Sequence, residues 1–570
     1  MMRVAFFALL TGLIALAQVS KGARIEGIVV TADGKPMAGA QVKLSRRVVV
    51  QGTQVTTDGV YFTTSDVSGR FALEDITTGG TYLMNAQRSG FATGWYGARS
   101  AIAQPAAFSV QPGQVLKGVR LVMLPQGVIF GRVTDSNGEP VRDARVQAMR
   151  RGYQDGVRQM IAVKMAISDE QGKYRLENLN PGRYFLVVQS SAIVVTGGGQ
   201  DPKMGVLRTY YPNATEELAA APLDLGPGQE IPGMDIRLRQ GKVFSVRGKV
   251  VTANGPPAAG FGILALPSTN GDSLQVLTTI RGKQNQTRED GSFELLGLPR
   301  GTYTLQGYNI ATQGTRTAGR MEIRIFDEDV EDVVLSLGDA GAVSGRIRME
   351  DGDLKTILTP DDARPLRELL ASKTDVPGRM TVGLKDLSRL PMGNNPSAKI
   401  GDDGTFSVTG AAPGIYQLTF GSMSPDIYVK SARFNGVDVT RDPVDISAGA
   451  AGSLEILLSD RAAEISGTVS MGKDESPVGV TVSLWTRDAE PIRTTTADES
   501  GNFRFRGLRP GVYYLAGWDD IDPGLAQMRD FLTQFTSEAA KVELAERAHA
   551  TAEVQVTPAA KRKAAEEKLP

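Results

Sequence analysis

The chain has 570 residues, with 63 basic and 63 acidic side chains, one His and no Cys. A net charge of zero, with both signs mixed along the sequence, gives no electrostatic basis for binding nucleic acid or acidic lipid. The absence of Cys excludes disulfides, so each folded unit must be stabilised by its own hydrophobic core.

The first residues have the pattern of an export signal. Arg3 precedes an apolar run, residues 4–16, that is too short to span a membrane comfortably. Ala15-Leu16-Ala17 has the small-x-small form of a cleavage site. We therefore predict a signal peptide over residues 1–17, no transmembrane segment after its cleavage, and a periplasmic, extracellular or cell-surface location.

A short pattern of two turns and two strands recurs five times along the chain. It begins with Gly-x-aromatic-x-apolar and ends with Gly-x-Tyr, usually preceded by Pro; the clearest copy runs from Gly172 to Tyr184. The spacing from the first Gly to the Tyr is twelve residues in four copies and thirteen in the first. A repeat of this kind indicates a series of similar structural units. The first glycines are Gly69, Gly172, Gly291, Gly404 and Gly501, and the tyrosines are Tyr82, Tyr184, Tyr303, Tyr416 and Tyr513.

An apolar-x-Gly-x-apolar stretch lies upstream of each copy. Alternation of this kind predicts a half-buried strand, and a Gly in mid-strand indicates a bulge or a close approach of another backbone. In the first two copies Asp33-Gly34 and Asn137-Gly138 follow, which are typical of tight hairpins. The mid-strand glycines are Gly27, Gly131, Gly248, Gly345 and Gly467.

These signals predict an all-β chain of five tandem β-sandwich units. We place unit one at residues 18–126, unit two at 127–240, unit three at 241–339, unit four at 340–460 and unit five at 461–558, followed by a solvated charged tail at 559–570. A unit of about 100 residues is large enough to fold alone.

Short helical insertions are predicted in units four and five. In unit four, Pro360-Asp361-Asp362 precedes several leucines, as at a capped helix start. In unit five, Leu525, Phe531 and Phe535 share one helical face. A lid over an open sandwich end and a partner-binding helix both remain open as interpretations.

Together the motifs resemble the carboxypeptidase regulatory-like domain family. The resemblance lies in the x-Gly-x-Val strand, the Gly-x-Pro turn, Asp-x-x-Gly-x-Tyr-x-Leu and Leu-x-Pro-Gly-x-Tyr; unit two has all of them, and the Gly-x-Pro turn is weak or missing in units three to five. The resemblance implies a transthyretin-like β-sandwich, also grouped with starch-binding-like folds. It further implies a module that accompanies some zinc carboxypeptidases and has no chemistry of its own.

The sequence offers no recognisable set of catalytic residues. A zinc peptidase site needs two His, or His with carboxylates, and His549 is the one His of the chain. No Ser lies in a Gly-x-Ser-x-Gly elbow. We therefore predict that the protein is not an enzyme and has no catalytic, cofactor-binding or metal-binding residues.

Acidic clusters are interpreted as solvated loops. Asp519, Asp520 and Asp522 follow Trp518, and a second acidic run occupies residues 327–329. Because Ca²⁺ needs only oxygen ligands, calcium binding at the loop after Trp518 remains open.

A repeated Asp at the turns is interpreted as structural. Asp66, Asp169 and Asp498 each lie three residues before the turn Gly, where a carboxylate can bond the backbone amides ahead of it. Units three and four place Asp290 and Asp403 directly before the Gly instead, which a shared metal site would not tolerate.

Two aromatic pairs are the candidate ligand-binding residues. Trp95-Tyr96 and Tyr210-Tyr211 follow their hairpins at similar positions and lie beside turn-forming residues. Such rings can pack in the protein or stack on a sugar, and both interpretations remain open. The Tyr of each Gly-x-Tyr turn is instead predicted to be a core ring with its hydroxyl at the sheet rim.

The sequence thus predicts a non-catalytic, exported scaffold or adhesion protein, an extended string of units that binds a surface glycan or a protein partner. Two alternatives remain: a dedicated carbohydrate-binding protein, and an accessory component of a peptidase or glycan-processing enzyme. Fold resemblance alone does not choose among them.

Overall fold

The computed structural model describes residues 22–569 except 51–52, 57–60, 77–79, 101, 112, 155, 190–203, 253–254, 268–285, 310–318, 339–340, 359–378, 388–394, 425, 448–450, 473–474 and 489–490. The predicted signal peptide and the predicted helix of unit four lie outside these residues. The described chain is built of β-strands packed as sandwiches, with few and short helices, which confirms the all-β fold class.

The strands of units one and two follow the predicted alternation of strands and turns. In unit one they are β1 Ala23–Thr31, β2 Gln41–Val50, β3 Thr53–Thr56, β4 Tyr61–Thr64, β5 Arg70–Ile76, β6 Gly80–Gln87, β7 Gly94–Trp95, β8 Phe108–Val110 and β9 Val115–Met123. In unit two they are β10 Gly127–Thr134, β11 Arg145–Gln154, β12 Val157–Ile167, β13 Lys173–Leu179, β14 Gly182–Gln189, β15 Met204–Leu207, β16 Thr209–Tyr210, β17 Leu223–Leu225, β18 Glu230–Ile231 and β19 Ile236–Arg237.

The remaining strands repeat this order. Units three and four contain β20 Arg239–Thr252, β21 Phe261–Pro267, β22 Ser292–Pro299, β23 Gly301–Asn309, β24 Gly319–Ile325, β25 Val330–Leu337, β26 Gly341–Met349, β27 Thr381–Asp386, β28 Ser397–Lys399, β29 Thr405–Ala411, β30 Ile415–Gly421, β31 Tyr428–Phe434, β32 Val437–Asp438, β33 Val444–Asp445 and β34 Ala451–Ser459. Unit five contains β35 Ala463–Ser470, β36 Thr481–Trp485, β37 Arg493–Thr496, β38 Asn502–Leu508, β39 Gly511–Trp518, β40 Ala540–Leu544 and β41 His549–Thr557.

One strand arrangement recurs in every unit. The strand with the mid-strand Gly pairs antiparallel with the strand after the first turn, as in β1–β5, β10–β13, β20–β22, β26–β29 and β35–β38. It also pairs parallel with a closing strand, as in β1–β9, β10–β18, β20–β25, β26–β34 and β35–β41. The facing sheet holds the strand that has the repeated Tyr near its start, and its pairings are β2–β6, β11–β14, β21–β23, β27–β30 and β36–β39.

The mid-strand glycines allow the closing strand to approach the first strand. A Cβ placed on Gly27 would lie 2.3 Å from the carbonyl oxygen of Val119, and one on Gly467 would lie 2.0 Å from that of Ala552. The other three mid-strand glycines meet a carbonyl oxygen at 2.1 to 2.3 Å. No side chain fits this gap, so the predicted close backbone approach is confirmed.

The first turn of the repeat is formed by one aspartate and one glycine. In unit two, the carboxylate of Asp169 accepts the backbone N–H of Gln171 at 2.9 Å and of Lys173 at 2.8 Å. Gly172 has a φ of +72°, in the region that favours glycine. The interpretation of this Asp as a turn residue is confirmed.

Units three and four form the same turn with the carboxylate two residues later. Asp290 accepts the N–H of Ser292 at 3.0 Å, and Asp403 accepts the N–H of Thr405 at 3.0 Å. Asp290 also accepts a hydrogen bond from the Ser292 hydroxyl at 2.6 Å, and Asp403 accepts one from the Thr405 hydroxyl at 2.7 Å. Units three and four therefore form the same turn, but their Asp lies two residues later and accepts hydrogen bonds from different donors.

These hydroxyl contacts predict acid sensitivity. The Ser292 and Thr405 hydroxyls hold the pKa of Asp290 and Asp403 below the ordinary value, because they bond the charged carboxylate. A lowered pKa gives stability that is present above the unfolded pKa of about 4 and is lost as the pH falls through the folded pKa. We expect the melting temperature to fall below about pH 4, and Asp290→Asn to reduce that fall; an unchanged pH profile in the variant would contradict this role.

The repeated Tyr anchors the second turn in units two to five. The hydroxyl donates to the carbonyl oxygen four residues earlier, at 2.6 Å for Tyr184, 2.8 Å for Tyr303, 2.8 Å for Tyr416 and 3.1 Å for Tyr513. All of these rings are buried. The predicted core ring with its hydroxyl at the rim is confirmed.

A single long strand joins units two and three. β20 pairs through Arg239–Lys242 with β15 of unit two, and further along with β22 and β25 of unit three. The predicted boundary at residue 240 therefore falls inside a strand that both sheets share. The five-unit division with its boundaries stays a prediction.

Unit five contains the predicted helical insertion. Helix α1, Arg529–Leu532, lies between two 3₁₀ turns, Leu525–Gln527 and Thr533–Phe535. A second helix, α2, occupies Ala559–Glu566. The prediction of a solvated tail is wrong for Ala565 and Leu569, which are each 6% exposed because they pack on the aromatic residues of the insertion.

Candidate functional site

The aromatic pair of unit one is divided between the surface and the interior. Trp95 ends β7, opposite Asn85, and is half-buried. Tyr96 is 7% exposed and packs edge-on against Phe108, with 5.3 Å between the ring centroids. Its hydroxyl donates to Glu499 of unit five at 2.7 Å. Burial first, and Glu499 second, raise the pKa of Tyr96.

The two rings of the unit-two pair also lie on opposite faces of their sheet. Tyr210 is 3% exposed and lies on the outer face of the β11–β14–β16 sheet. Tyr211 is half-buried and packs against the inner core of the unit. Neighbouring residues of a strand point to opposite faces, so the two rings of a pair cannot form one platform. Sugar binding by any of the four stays a prediction.

The loop after Tyr96 forms a contact between units one and five. The guanidinium of Arg99 pairs with Asp519 at 2.6 Å, and the Ser100 hydroxyl donates to Asp520 at 2.7 Å. Gly97 packs against Gly479 closely enough that a Cβ on Gly479 would lie 1.8 Å from its carbonyl oxygen. The acidic loop of unit five is therefore an interface and not a free solvated loop.

The third acid of that loop has a local role. Asp522 accepts the backbone N–H of Gly524 at 2.8 Å at the start of the helical insertion. Within the described ranges, no group of three or more His, Asp or Glu side chains is arranged to hold a metal ion. His549 lies exposed at the start of β41.

The hairpin of β11 and β12 connects unit two to unit five. Tyr153 near its tip is 8% exposed and belongs to an apolar cluster whose other members are from unit five and the tail. The Tyr153 hydroxyl donates to Glu566 of α2 at 3.1 Å. Gly524 lies so close that a Cβ there would be 1.8 Å from the Tyr153 carbonyl oxygen.

The receiving surface in unit five is aromatic. Trp518 is fully buried and packs on Phe531 and Phe535, at centroid distances of 5.1 and 5.0 Å. Its indole N–H donates to Ser483 at 2.9 Å. The helical insertion thus covers its own sandwich, as a lid would, and also contacts the hairpin of unit two.

Ion pairs fix unit four against unit five. Arg461 contacts Asp351 at 2.5 Å and Glu546 at 3.1 Å. Arg506 pairs with Asp426 at 2.5 Å. These pairs are partly exposed, so each contributes about 1 kcal/mol or less, and their value is mainly in orientation.

Units three and four meet around a buried ion pair. Arg320 contacts Asp386 at 2.5 Å, and the side chain of Asp386 is 1% exposed. Beside the pair is a cleft of about 380 Å³, lined by Arg320, Ser336 and Ser447 among others. Removing Arg320 would leave the buried carboxylate of Asp386 without this ion pair, which is costly in a site of low accessibility.

The chain therefore closes on itself, because unit five contacts units one, two and four. The expectation of an extended string is wrong at these contacts. Sequence reasoning singled out Trp95, Tyr96 and the acidic loop but missed Arg99 and Tyr153. Tyr153 stands near a hairpin tip beside Gly152 and Gly156, a weak signal for an exposed ring that needs a partner.

Comparison with known proteins gives a family for three segments. Residues 24–122, 128–196 and 464–516 match the carboxypeptidase regulatory-like domain. The matches fall in units one, two and five, which are the units that the contacts of Tyr96 and Tyr153 bring together. No curated protein matches the sequence. In the described part of the chain no helix is both long and apolar enough to cross a bilayer.

Several solved structures are similar at low identity. The TIE protein of Bacillus anthracis is 11% identical over 76% of this chain and 74% of its own, with a TM-score of 0.15. The major pilin subunit BcpA of Bacillus cereus is 12% identical over 56% and 99%, with a TM-score of 0.14. The minor pilin GBS52 of Streptococcus agalactiae is 13% identical over 38% and 95%, with a TM-score of 0.20. Nothing about function is transferred at these values.

Proposed function

We propose that this chain, three segments of which match the carboxypeptidase regulatory-like domain, is an exported, non-catalytic scaffold of β-sandwich units that adheres to a surface glycan or protein partner. The observation that carries the proposal is the closure of unit five onto units one, two and four. Such contacts hold the units in a fixed arrangement, which a scaffold requires.

The use of the polar side chains supports a structural role. Asp519 and Asp520 bond Arg99 and Ser100 of another unit, and the repeated turn aspartates bond backbone amides. These bonds connect units or hold turns, so they give the carboxylates a structural use that agrees with the proposed scaffold.

The half-buried members of the two aromatic pairs are the proposed adhesive contacts. Trp95 and Tyr211 keep part of their rings accessible, whereas Tyr96 and Tyr210 are buried. A ring that stacks on a sugar contributes roughly 1 to 3 kcal/mol, by analogy with stacking on nucleic-acid bases.

The test is retention of the mature chain on immobilised glycans and peptidoglycan. We expect Trp95→Ala and Tyr211→Ala each to weaken retention about tenfold, since stacking of this size is lost. Trp95→Ala should change the melting temperature little, whereas Tyr211→Ala should lower it somewhat, because part of the Tyr211 ring packs on the inner core. Tyr184→Ala is the matched control, because it should lower the melting temperature through loss of a core ring. Variants that melt earlier but bind equally would show that Trp95 and Tyr211 only pack.

A further inference from the structure

Unit two has a second apolar cluster on the outer face of one sheet, separate from its inner core. It consists of Met149, Met160, Phe185, Val187, Tyr210 and Ala220, each at most 8% exposed. Val187 pairs directly with Tyr210 across strands β14 and β16, and Phe185 lies two residues from Val187 on the same face. Phe185 and Tyr210 are therefore diagonal neighbours on this face of the sheet.

An arginine covers each of these rings. The Cζ atom of Arg151 lies 4.5 Å from the centroid of Phe185, and that of Arg208 lies 5.0 Å from the centroid of Tyr210. A guanidinium held over a ring is restrained by that contact, and the N–H groups in its plane can bond acceptors around its edge. The rings thus orient two sets of donors on one face.

One guanidinium of this face has a donor that is not used within the described structure. Among the described residues, the buried Nε of Arg151 has no hydrogen-bond acceptor. Burial lowers the pKa of Arg208, and Tyr210 and Glu217 offset part of that effect. A partly buried cation is stabilised by an anion that bonds it in the plane of the guanidinium.

The position of this face on the sheet restricts the kind of ligand that can bind to it. Strand β11 is paired on both sides, with β12 and β14, and β14 is paired with β11 and β16. Strand β16, which contains Tyr210, lies at the edge of the sheet, but the backbone N–H and C=O of Tyr210 are both bonded to Ala214. An extended peptide that adds a strand needs a free edge, so it cannot use backbone bonds here. Recognition must come from side chains alone, and the donors available are guanidinium forks suited to oxyanions.

We propose that the face formed by Arg151, Arg208, Phe185 and Tyr210 binds an acidic polysaccharide, with carboxylate or phosphate groups held by the two guanidiniums. The inference rests on the proposed adhesive function and names the chemistry of its partner. Arg151 and Arg208 contact the ligand, while the rings of Phe185 and Tyr210 hold the two guanidiniums in position.

The experiment measures binding of the full mature chain to polygalacturonate, poly(glycerol phosphate), neutral dextran and polyglutamate. The first two separate a carboxylate from a phosphate source. We expect one or both to bind, and Arg151→Gln and Arg208→Gln each to raise the Kd at least about tenfold, since each removes a charge-assisted pair. Arg151→Lys keeps the charge without the fork and should also weaken binding, while Arg183→Gln should change the Kd less than about twofold because Arg183 is exposed and already paired with Asp224.

The outcomes separate this inference from the proposed function. Equal binding by wild type and Arg151→Lys at equal melting temperature would overturn the specific role of the fork. Retention of dextran through Trp95 with no effect of Arg151→Gln would overturn the acidic-ligand inference and leave adhesion standing. Equal binding of polyglutamate would show that an acidic protein is the partner. If the chain is retained neither on these glycans nor on peptidoglycan, the proposal of a glycan partner is overturned.

Discussion

Gly172→Val is expected to unfold unit two. Gly172 has a φ of +72°, and a Cβ there would lie 2.4 Å from the carbonyl oxygen of Val133. The variant therefore combines backbone strain, roughly 1 to 3 kcal/mol for a single residue, with a clash that only movement of β10 relieves. We expect a total loss of about 3 kcal/mol or more in the free energy of unfolding.

Gly138→Val is the matched control for this variant. Gly138 also has a positive φ, +89°, but no atom lies within 4 Å of a Cβ placed on it. Gly138→Val should therefore have the backbone strain without the clash, and it should lower the free energy of unfolding less than Gly172→Val does. The measurement is thermal unfolding followed by circular dichroism, with hydrogen exchange to locate the loss in residues 127–240. Equal destabilisation by the two variants would contradict the role assigned to the Val133 contact.

Tyr153→Ala is expected to detach the unit-two hairpin from unit five. The ring is 8% exposed within the cluster that contains Trp518 and Phe531, and its hydroxyl bonds Glu566. Removing a buried aromatic anchor from the centre of an interface costs about 2 kcal/mol or more. The loss should appear as faster hydrogen exchange in α2 and a larger radius of gyration.

Tyr153→Phe separates the ring from the hydroxyl. It keeps the packing and removes one hydrogen bond, so we expect a loss of about 1 kcal/mol and an unchanged radius of gyration. If Tyr153→Ala left exchange in α2 and the particle size unchanged, the hairpin contact would contribute nothing to closure.

The local features of the fold could be predicted because each depends on a few neighbouring residues. The turn at Gly172 needs a positive φ and an acceptor at Asp169, both visible within four positions. The ring of Tyr184 bonds a carbonyl only four residues away. Because these requirements involve residues that are close in sequence, they produce a fixed spacing of Asp, Gly and Tyr that recurs in each unit.

The contacts between units could not be predicted because their partners are far apart in sequence. Tyr96 and Glu499, or Tyr153 and Glu566, are joined by folding alone and leave no periodic signal. The tail was misjudged for the same reason, because Ala565 and Leu569 find their apolar partners in the helical insertion. Of the two candidate aromatic pairs, Tyr96 and Tyr210 are buried, because neighbouring residues of a strand point to opposite faces.

Closure of the chain is the central claim, and the absence of Cys makes it directly testable. The Ser100 hydroxyl and the Asp520 carboxylate are 2.7 Å apart across the contact of units one and five. Ser100→Cys and Asp520→Cys together should be joined within one chain by a short bifunctional methanethiosulfonate reagent, seen as a shift in gel mobility that reductant reverses. Each single variant is the control and should show no shift. Failure of the double variant to cross-link, although it folds and both thiols react with a labelling reagent, would contradict the closed arrangement.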